Sequence, residues 1–448
     1  MNEAIISYRG PGHLWLASLG VRGMQLGLAR MHALLQRLGR PQTTFLSVVV
    51  AGTDGKGSTS AMLAQMLEAA GLSVGLYTSP HLMETRERVR IGPVCVSQEA
   101  LDDALRQVQS ASDAAEALDL TPFEALTAAA FCLFRDAGVA IAVLEIGLGG
   151  RLDAVNAVEP IVSIITNLSH DHTAILGNTL AQIAYEKAGV ARAARPLIVA
   201  NGGLIKSALR KHNVEPKLLT LGQDLVVDSY VVRGSNWHAA GLLSGPALPL
   251  GLSLELELPG RHQLDNAALA VLGYQQVAEY LRTLARLLPS VDEVASSLGS
   301  VDWPCRAEIV EQDPIVVLDA AHNPAAIGAL SELLAERGRG WQVILAVRKD
   351  RDAADVVRAI KPIADSFWLP RMHGETLMNA EELSTIVDAV APSAGVAVAD
   401  FARCFAQARR EALPGAGVVL TGSQHALGEW LARGIVSSPR LLRRLGRI

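Results

Sequence analysis

A glycine-rich turn between an apolar strand and a helix constrains this chain more than any other feature. The run Phe45 to Val50 leads into Gly52-Thr53-Asp54-Gly55-Lys56-Gly57-Ser58, and Ser58 to Ala70 has a helical pattern. Glycines at such a turn let backbone N–H groups face an anion, and the helix start adds partial positive charge. Lys56 can reach outer phosphates, and the Ser58 hydroxyl can ligate Mg²⁺. An ordinary strand-to-helix turn needs neither group, so the segment reads as a cradle for nucleotide phosphates. The spacing is a variant, because the common P-loop sets Lys directly before Ser or Thr and here Gly57 intervenes.

Farther along, the strand-like runs Val74 to Tyr77, Ala140 to Ile146 and Ile161 to Thr166 alternate with helical patterns such as Phe123 to Asp136. That alternation predicts a parallel sheet covered by helices. Gly71 and Gly138 stand where helix C-termini want a left-handed residue. Residues 201–259, with the alternation Leu254-Glu255-Leu256-Glu257-Leu258, read as antiparallel strands and loops. The Ala-rich stretch 111–117 reads as an exposed helix or loop. After the Ser-rich segment Ser290 to Trp303 a second, smaller α/β domain is expected. Its predicted elements are a strand Ile315 to Leu318, a helix Ala325 to Arg337, a strand Gln342 to Val347 and a helix Ala353 to Ile360.

Half of the 448 residues are hydrophobic, enough for a large core and two or three domains. A net charge of −5 gives no general attraction to nucleic acid or to anionic lipid. Cys95, Cys132, Cys305 and Cys404 are far apart and form no CxxC pair, so neither a zinc knuckle nor a disulfide framework is expected. The start Met1-Asn2-Glu3-Ala4 has no basic leader, and no uncharged apolar stretch reaches the roughly 18 residues a membrane helix needs. These features predict a cytoplasmic protein with no membrane and no nucleic acid partner.

Open parallel sheets bind ligands outside the carboxyl ends of their strands, which singles out the polar residues there. Glu145 ends an apolar run beside the turn Gly147 to Gly150 and could ligate Mg²⁺, or simply pair with an arginine. That turn lacks the full G-x-G-x-x-G, which argues against a nicotinamide site. His170-Asp171-His172 follows another strand and suits a divalent metal or a phosphoryl site, although imidazole is an unusual Mg²⁺ ligand. Lys187 falls on the apolar face of a helix with Leu180, Ile183 and Ala184. It is either snorkelling or ion-paired, or else a desolvated, reactive amine. In the second domain the strand ending at Leu318 delivers Asp319 and His322 to a loop before a helix. Asp350-Arg351-Asp352 and Thr421 to His425 also follow strands, and taken alone they read as solvated loops.

Together these segments resemble the folylpolyglutamate synthase/dihydrofolate synthase family of the Mur-ligase superfamily. The resemblance rests on Gly52 to Ser58, Ser79-Pro80-His81-Leu82, Glu87-Arg88, Glu145 to Asp153, Asp171-His172, Ile183 to Gly189, Leu258 to Gln263 with Asn266, Trp303-Pro304 with Arg306 and Glu308, Asp319 to Pro324, and Gly422-Ser423. It implies a P-loop ATPase-like first domain over 1–298, with a mostly parallel sheet and a small antiparallel region, and a Rossmann-like α/β domain over 299–448. The implied enzyme is a monomeric, ATP-dependent ligase adding L-glutamate to dihydropteroate and reduced folates. By the same resemblance Gly52, Thr53, Asp54, Gly55, Lys56, Gly57, Ser58, Thr59, Asn266, Arg306 and Asp319 would hold ATP. Ser58 and Glu145 would hold one Mg²⁺; His172 and a carbamylated Lys187 would hold a second. Ser79, Pro80, His81, Thr121 and Phe123 would line the pterin site, and Arg88 and Ser423 would face glutamate. Lys56, His172, Lys187, Asp319 and His322 would be catalytic, with His322 also contacting substrate. Three departures from the family pattern stand out: Asp54 for a usual Asn, Cys305 for a usual Gly and Arg351 for a usual Lys. Two rival readings remain, a Mur-type amide ligase for another acid or amino acid and an ATP-binding regulatory protein without turnover.

Overall fold

The computed structural model describes residues 10–20, 27–114, 117–235, 237–372, 376–413 and 415–448. The residues Met1 to Ala4 and positions 115–116 of the Ala-rich stretch lie outside them, while 111–113 end a helix, Gln98–Asp113.

The first sheet has eight strands: β1 (Leu46–Ala51), β2 (Val74–Tyr77), β3 (Val89–Ile91), β4 (Val94–Cys95), β5 (Ile141–Glu145), β6 (Val162–Ile165), β7 (Pro196–Val199) and β8 (Lys217–Thr220), in the order β4-β3-β2-β5-β1-β6-β7-β8. Every pairing from β2 to β8 is parallel, and the β3–β4 edge runs antiparallel. A central parallel strand must be apolar on both faces, and β1 is. Val48 and Val50 face a core built with the helices Lys56–Ala69 and Arg261–Thr283. Val49 and Ala51 face the opposite core with the helix Pro122–Asp136. Gly71 and Gly138 take the expected left-handed conformation.

The reading of 201–259 is corrected in its first part. Residues Gly202–His212 form a helix and β8 joins the parallel sheet. Asn201 caps that helix by accepting from the Gly203 N–H at 3.0 Å, and Ile205, Ala208 and Leu209 bury one face at helical spacing. From there on the segment is antiparallel: β9 (Val226–Val227), β10 (Val231–Arg233), β11 (His238–Gly245) and β12 (Leu248–Leu256) form a small sheet. Leu252, Leu254 and Leu256 point into the core while Ser253 and Glu255 face out, as period-2 alternation requires.

The Ser-rich segment is not an extended linker. It forms a short helix, Val291–Ala295, and a 3₁₀ turn, Ser296–Ser300, and buries Val294, Leu298, Val301 and Trp303 in the first core. The second sheet then begins with β13 (Glu308–Gln312), followed by β14 (Ile315–Leu318), β15 (Trp341–Leu345), β16 (Ala364–Pro370), β17 (Gly395–Ala399) and β18 (Gly417–Thr421). Their order is β13-β14-β18-β15-β16-β17, with only the β13–β14 pairing antiparallel. The loop after β14 meets the loops after β1 and β6, so the carboxyl ends of strands from both sheets share one cleft. Among the described residues, no helix is long and apolar enough to cross a membrane. All four cysteines are buried and free.

Candidate active site

The phosphate cradle is shaped by close approach at each of its glycines. Gly52 (φ 145°) and Gly55 (φ 79°) take conformations that other residues rarely adopt. A Cβ on Gly52 would stand 1.8 Å from Thr166 Oγ1, one on Gly55 2.3 Å from Asn266 Oδ1, and one on Gly57 2.6 Å from Trp303 Cζ2. The last contact explains the inserted glycine: Trp303 packs against the first helical turn. No side chain caps the helix Lys56–Ala69, so its first N–H groups are left for an anion in the cleft. Lys56 Nζ donates to the carbonyls of Thr53 (2.9 Å) and Gly52 (3.3 Å), curled over the loop it would use to hold phosphate.

Glu145, His172 and Lys187 line the same cleft, about 590 Å³ in volume, as Gly52 to Ser58. Register places Glu145 opposite Val50, the residue before the last of β1, so both strands end together. Glu145 Oε2 accepts from the Ser79 N–H at 3.1 Å, and burial raises its pKa against the opposing pull of Lys56. Lys187, 3% exposed on the helix Leu180–Ala188, donates to the Gly52 carbonyl at 2.6 Å. Burial, reinforced by Lys56, pushes its pKa down to about 7. His172 sits at φ 49° before the short helix Thr173–Leu176, and burial lowers its pKa to about 4.

From the second sheet, His322 donates through Nδ1 to the Ala320 carbonyl at 3.0 Å, which leaves Nε2 facing Asp171 Oδ2 at 4.0 Å. Asp319 accepts from the Ala307 N–H (2.7 Å) and the Ala321 N–H (2.8 Å). Both of its oxygens are therefore engaged by backbone, and it braces the turn carrying Arg306. In that turn Cys305 (φ 54°) and Ala307 (φ 44°) are left-handed, which is why a glycine would suit position 305. Arg306 lines the cleft and donates to the Cys305 carbonyl at 3.0 Å. Asn266 accepts from the Thr59 hydroxyl at 3.3 Å and donates to Gln263 Oε1 at 3.0 Å, tying the cradle helix to the long helix Arg261–Thr283.

Ser79 and Pro80 border the cleft; several other expected contacts do not. Arg88 Nε donates to His81 Nδ1 at 3.0 Å, away from the cleft lining. Thr121 caps the helix Pro122–Asp136, and the Phe123 ring fills the space a Cβ on Gly147 would need. Ser423 is fully buried, its Oγ accepting from the Ala426 N–H at 3.3 Å to cap the helix Gln424–Ala432. The neighbouring Gln424 reaches out instead, donating to the Pro80 carbonyl at 3.2 Å.

Three residues at the cleft and its seam were given no site role from sequence. Arg351, read there as a solvated loop residue, is mostly buried, ion-paired with Asp171, and 3.5 Å from His172 Nε2. Asn323 could have been found as a cap residue just before Pro324. His262 lines the cleft, with a pKa lowered to about 4 by burial and then by Arg306. Asp54 does not present a bare charge to the cradle: its carboxylate accepts from Asn323 Nδ2 (2.7 Å), Ser169 Oγ (3.1 Å) and Asn167 Nδ2 (3.5 Å).

Residues 50–273 match the Mur ligase middle domain and residues 305–424 the Mur ligase glutamate ligase domain. The chain is 33% identical over 386 residues to dihydrofolate synthase/folylpolyglutamate synthase of Bacillus subtilis, covering 81% of this chain and 86% of that protein. It spans about half the length of two other curated relatives, the probable bifunctional folylpolyglutamate synthase/dihydropteroate synthases of Halobacterium salinarum and Haloferax volcanii, at 34% and 35% identity over 93% and 90% of this chain. Among solved structures it is similar to folylpolyglutamate synthase of Mycobacterium tuberculosis complexed with ADP, with 27% identity, a TM-score of 0.85 and coverage of 95% and 98% of the two chains. A bifunctional folylpolyglutamate synthase/dihydrofolate synthase with Mn, AMPPNP and L-glutamate bound is similar at 28% identity and a TM-score of 0.79, with 94% and 98% covered. The cradle, the strand-end carboxylate and the two-domain cleft thus accompany likeness along nearly the whole chain, which belongs to the folylpolyglutamate synthase/dihydrofolate synthase family of Mur ligases.

Proposed function

We propose that this chain is an ATP-dependent ligase, working in the cytoplasm as a monomer, that joins L-glutamate to dihydropteroate and to reduced folates. The observation that carries the reading is the Lys187 amine, buried 2.6 Å from the Gly52 carbonyl of the cradle, with Glu145 and Lys56 on the same cleft. A carboxylate is a poor acyl donor. Attack of its oxygen on the γ-phosphorus of ATP forms an acyl phosphate and releases ADP. The glutamate amine, after losing a proton, then attacks the acyl carbon, and phosphate leaves as the amide forms. In this scheme Lys56 and the orphan N–H groups of its helix offset charge on the moving phosphoryl group. Arg306 and His322 approach from the second domain, whose closure shields the acyl phosphate from water.

The side chains fit a hard divalent cation. Glu145 and Ser58 offer oxygens, and no three His, Cys, Asp or Glu side chains among the described residues form a ready-made cage. That suits Mg²⁺, which takes few protein ligands and completes its shell with phosphates and water. Ser58 and Glu145 would hold one ion, and His172 with Lys187 a second. An amine with a pKa near 7 is substantially neutral at neutral pH and can capture CO₂, and the carbamate would provide the oxygen that an imidazole-containing set lacks. When bound, the metal neutralises phosphate charge.

Phosphate release measured with dihydropteroate, tetrahydrofolate and a panel of amino acids tests the assignment. Turnover with pterin acids and L-glutamate is expected. Activity confined to non-pterin acids rejects it.

A further inference from the structure

The structure assigns Asp54 a task outside the chemistry of phosphate binding. Its carboxylate is the point where the cradle is fastened to the second domain. Asn323 is 1% exposed and uses both ends of its amide: Oδ1 accepts from the Ala326 N–H (2.9 Å), capping the helix Pro324–Ala335, and Nδ2 donates to Asp54 Oδ1 (2.7 Å). On the other side, the backbone of Asp54 is held in place. Its N–H donates to Asn167 Oδ1 at 2.7 Å and its carbonyl accepts from the Thr166 hydroxyl at 2.5 Å. A capped helix of one domain is thereby hydrogen-bonded to a fixed point of the other, two residues before Lys56. The ion pair between Arg351 and Asp171 bridges the same seam nearby.

We propose that Asp54 and Asn323 form a latch that holds the two domains closed over the cleft, and that Asp54 is a positioning residue for the ligase reaction. With the latch made, His322 and Arg306 face the cradle; with it open, the second domain can pivot away from the cradle about the contacts that remain, such as Arg444 to the Glu87 carbonyl (3.0 Å) and Gln424 to the Pro80 carbonyl (3.2 Å), and admit or release substrates. An ionised acceptor makes this hydrogen bond stronger than a neutral amide would. The charge that looks unfavourable beside phosphates therefore strengthens closure.

Substitution by reversal tests this. Asn323→Asp keeps an oxygen able to cap the helix but sets carboxylate against carboxylate across the seam. Adding Asp54→Asn restores a donor–acceptor pair with its polarity reversed. Small-angle X-ray scattering with AMPPNP and Mg²⁺ should show Asn323→Asp as a more open particle and the double variant as compact as the wild type. In steady-state phosphate release, kcat should fall about tenfold or more in Asn323→Asp, from a lost charge-assisted bond and the juxtaposed charges, and recover most of that loss in the double variant. The KM for ATP should move far less than kcat. If Asn323 only caps its helix, Asn323→Asp will scatter and turn over like the wild type, and the latch is overturned. It is equally overturned if the double variant is no better than the single one. The kinetic arm rests on the ligase reading. A wild type that releases no phosphate with any acid tested would sink that reading, while the scattering arm would still decide the latch.

Discussion

Replacing Lys187 by methionine should stabilise this protein while abolishing its turnover. The side chain is 3% exposed, and burial takes its pKa from 10.5 down to about 7. At about 1.36 kcal/mol per unit, keeping an ionisable amine there costs on the order of 5 kcal/mol when the unfolded chain is fully protonated. The hydrogen bond to the Gly52 carbonyl returns about 1 kcal/mol of this. Its loss leaves no orphan, because Gly52 O still receives Lys56 Nζ. Methionine fills a similar volume without the desolvation cost, so the variant should gain roughly 2–4 kcal/mol near pH 7. The sign of the pH dependence follows from proton binding. Between about pH 7 and 10.5 the unfolded lysine holds a proton that the folded one has released, so wild-type stability rises with pH and the variant's advantage shrinks toward zero. Urea unfolding of both proteins at pH 7 and pH 10, in CO₂-depleted buffer and followed by tryptophan fluorescence, measures this. Phosphate release by the variant should be undetectable; Lys187→Ala, which leaves room in the buried site, should be equally inactive but partly recover on adding a short carboxylic acid. A variant less stable than wild type at pH 7, an advantage that persists at pH 10, or undiminished turnover would each refute the reasoning.

Gly57→Ala places a methyl group 2.6 Å from the Trp303 ring. It should cost about 1–3 kcal/mol in urea unfolding and weaken ADP binding by calorimetry. Lys56→Met loses only partly exposed hydrogen bonds to two loop carbonyls. Stability should change by less than about 1 kcal/mol while ADP affinity falls at least about tenfold, and an unchanged affinity would remove Lys56 from the phosphate site. Asp319→Asn turns an NH₂ toward either the Ala307 or the Ala321 N–H, setting donor against donor. Unfolding should reveal a loss of about 1–3 kcal/mol, and ATP turnover should fall as the Arg306 turn loosens; a variant of wild-type stability would mean that the carboxylate does not brace that turn.

In the first sheet β1, β2, β5 and β6 were legible because each is a short, mostly apolar run, so the strand ends carrying Glu145 and the cradle fall on one edge; the short edge strands β3 and β4, and β7 and β8 on the other side, did not stand out in this way. The helix Gly202–His212 escaped because a glycine pair in its first turn looks like a loop, although those positions tolerate glycine once Asn201 caps them. The harder losses concern partners. The apolar face of its helix marked Lys187 as costly, but the Gly52 carbonyl that receives it lies 135 positions earlier in the chain, and no periodicity encodes that meeting. Arg351 had the same ambiguity in reverse: after a strand it looked solvated, because nothing local reveals Asp171 across the cleft. Capping roles were legible in principle at Thr121, Asn323 and Ser423, each three positions before the N–H it serves, yet a cap can be mistaken for a ligand when the following helix faces a site. Asp54 and Arg351, two of the three departures from the family pattern, each find a partner on the opposite domain, and the third, Cys305, lies in the left-handed turn that carries Arg306 to the cleft. The departures therefore gather on the seam between the domains, while Lys56, Glu145, His172 and Lys187, the groups proposed to hold phosphate and metal, line the cleft. On the proposed latch, variation placed there should alter how the two halves close before it alters how a phosphoryl group is moved.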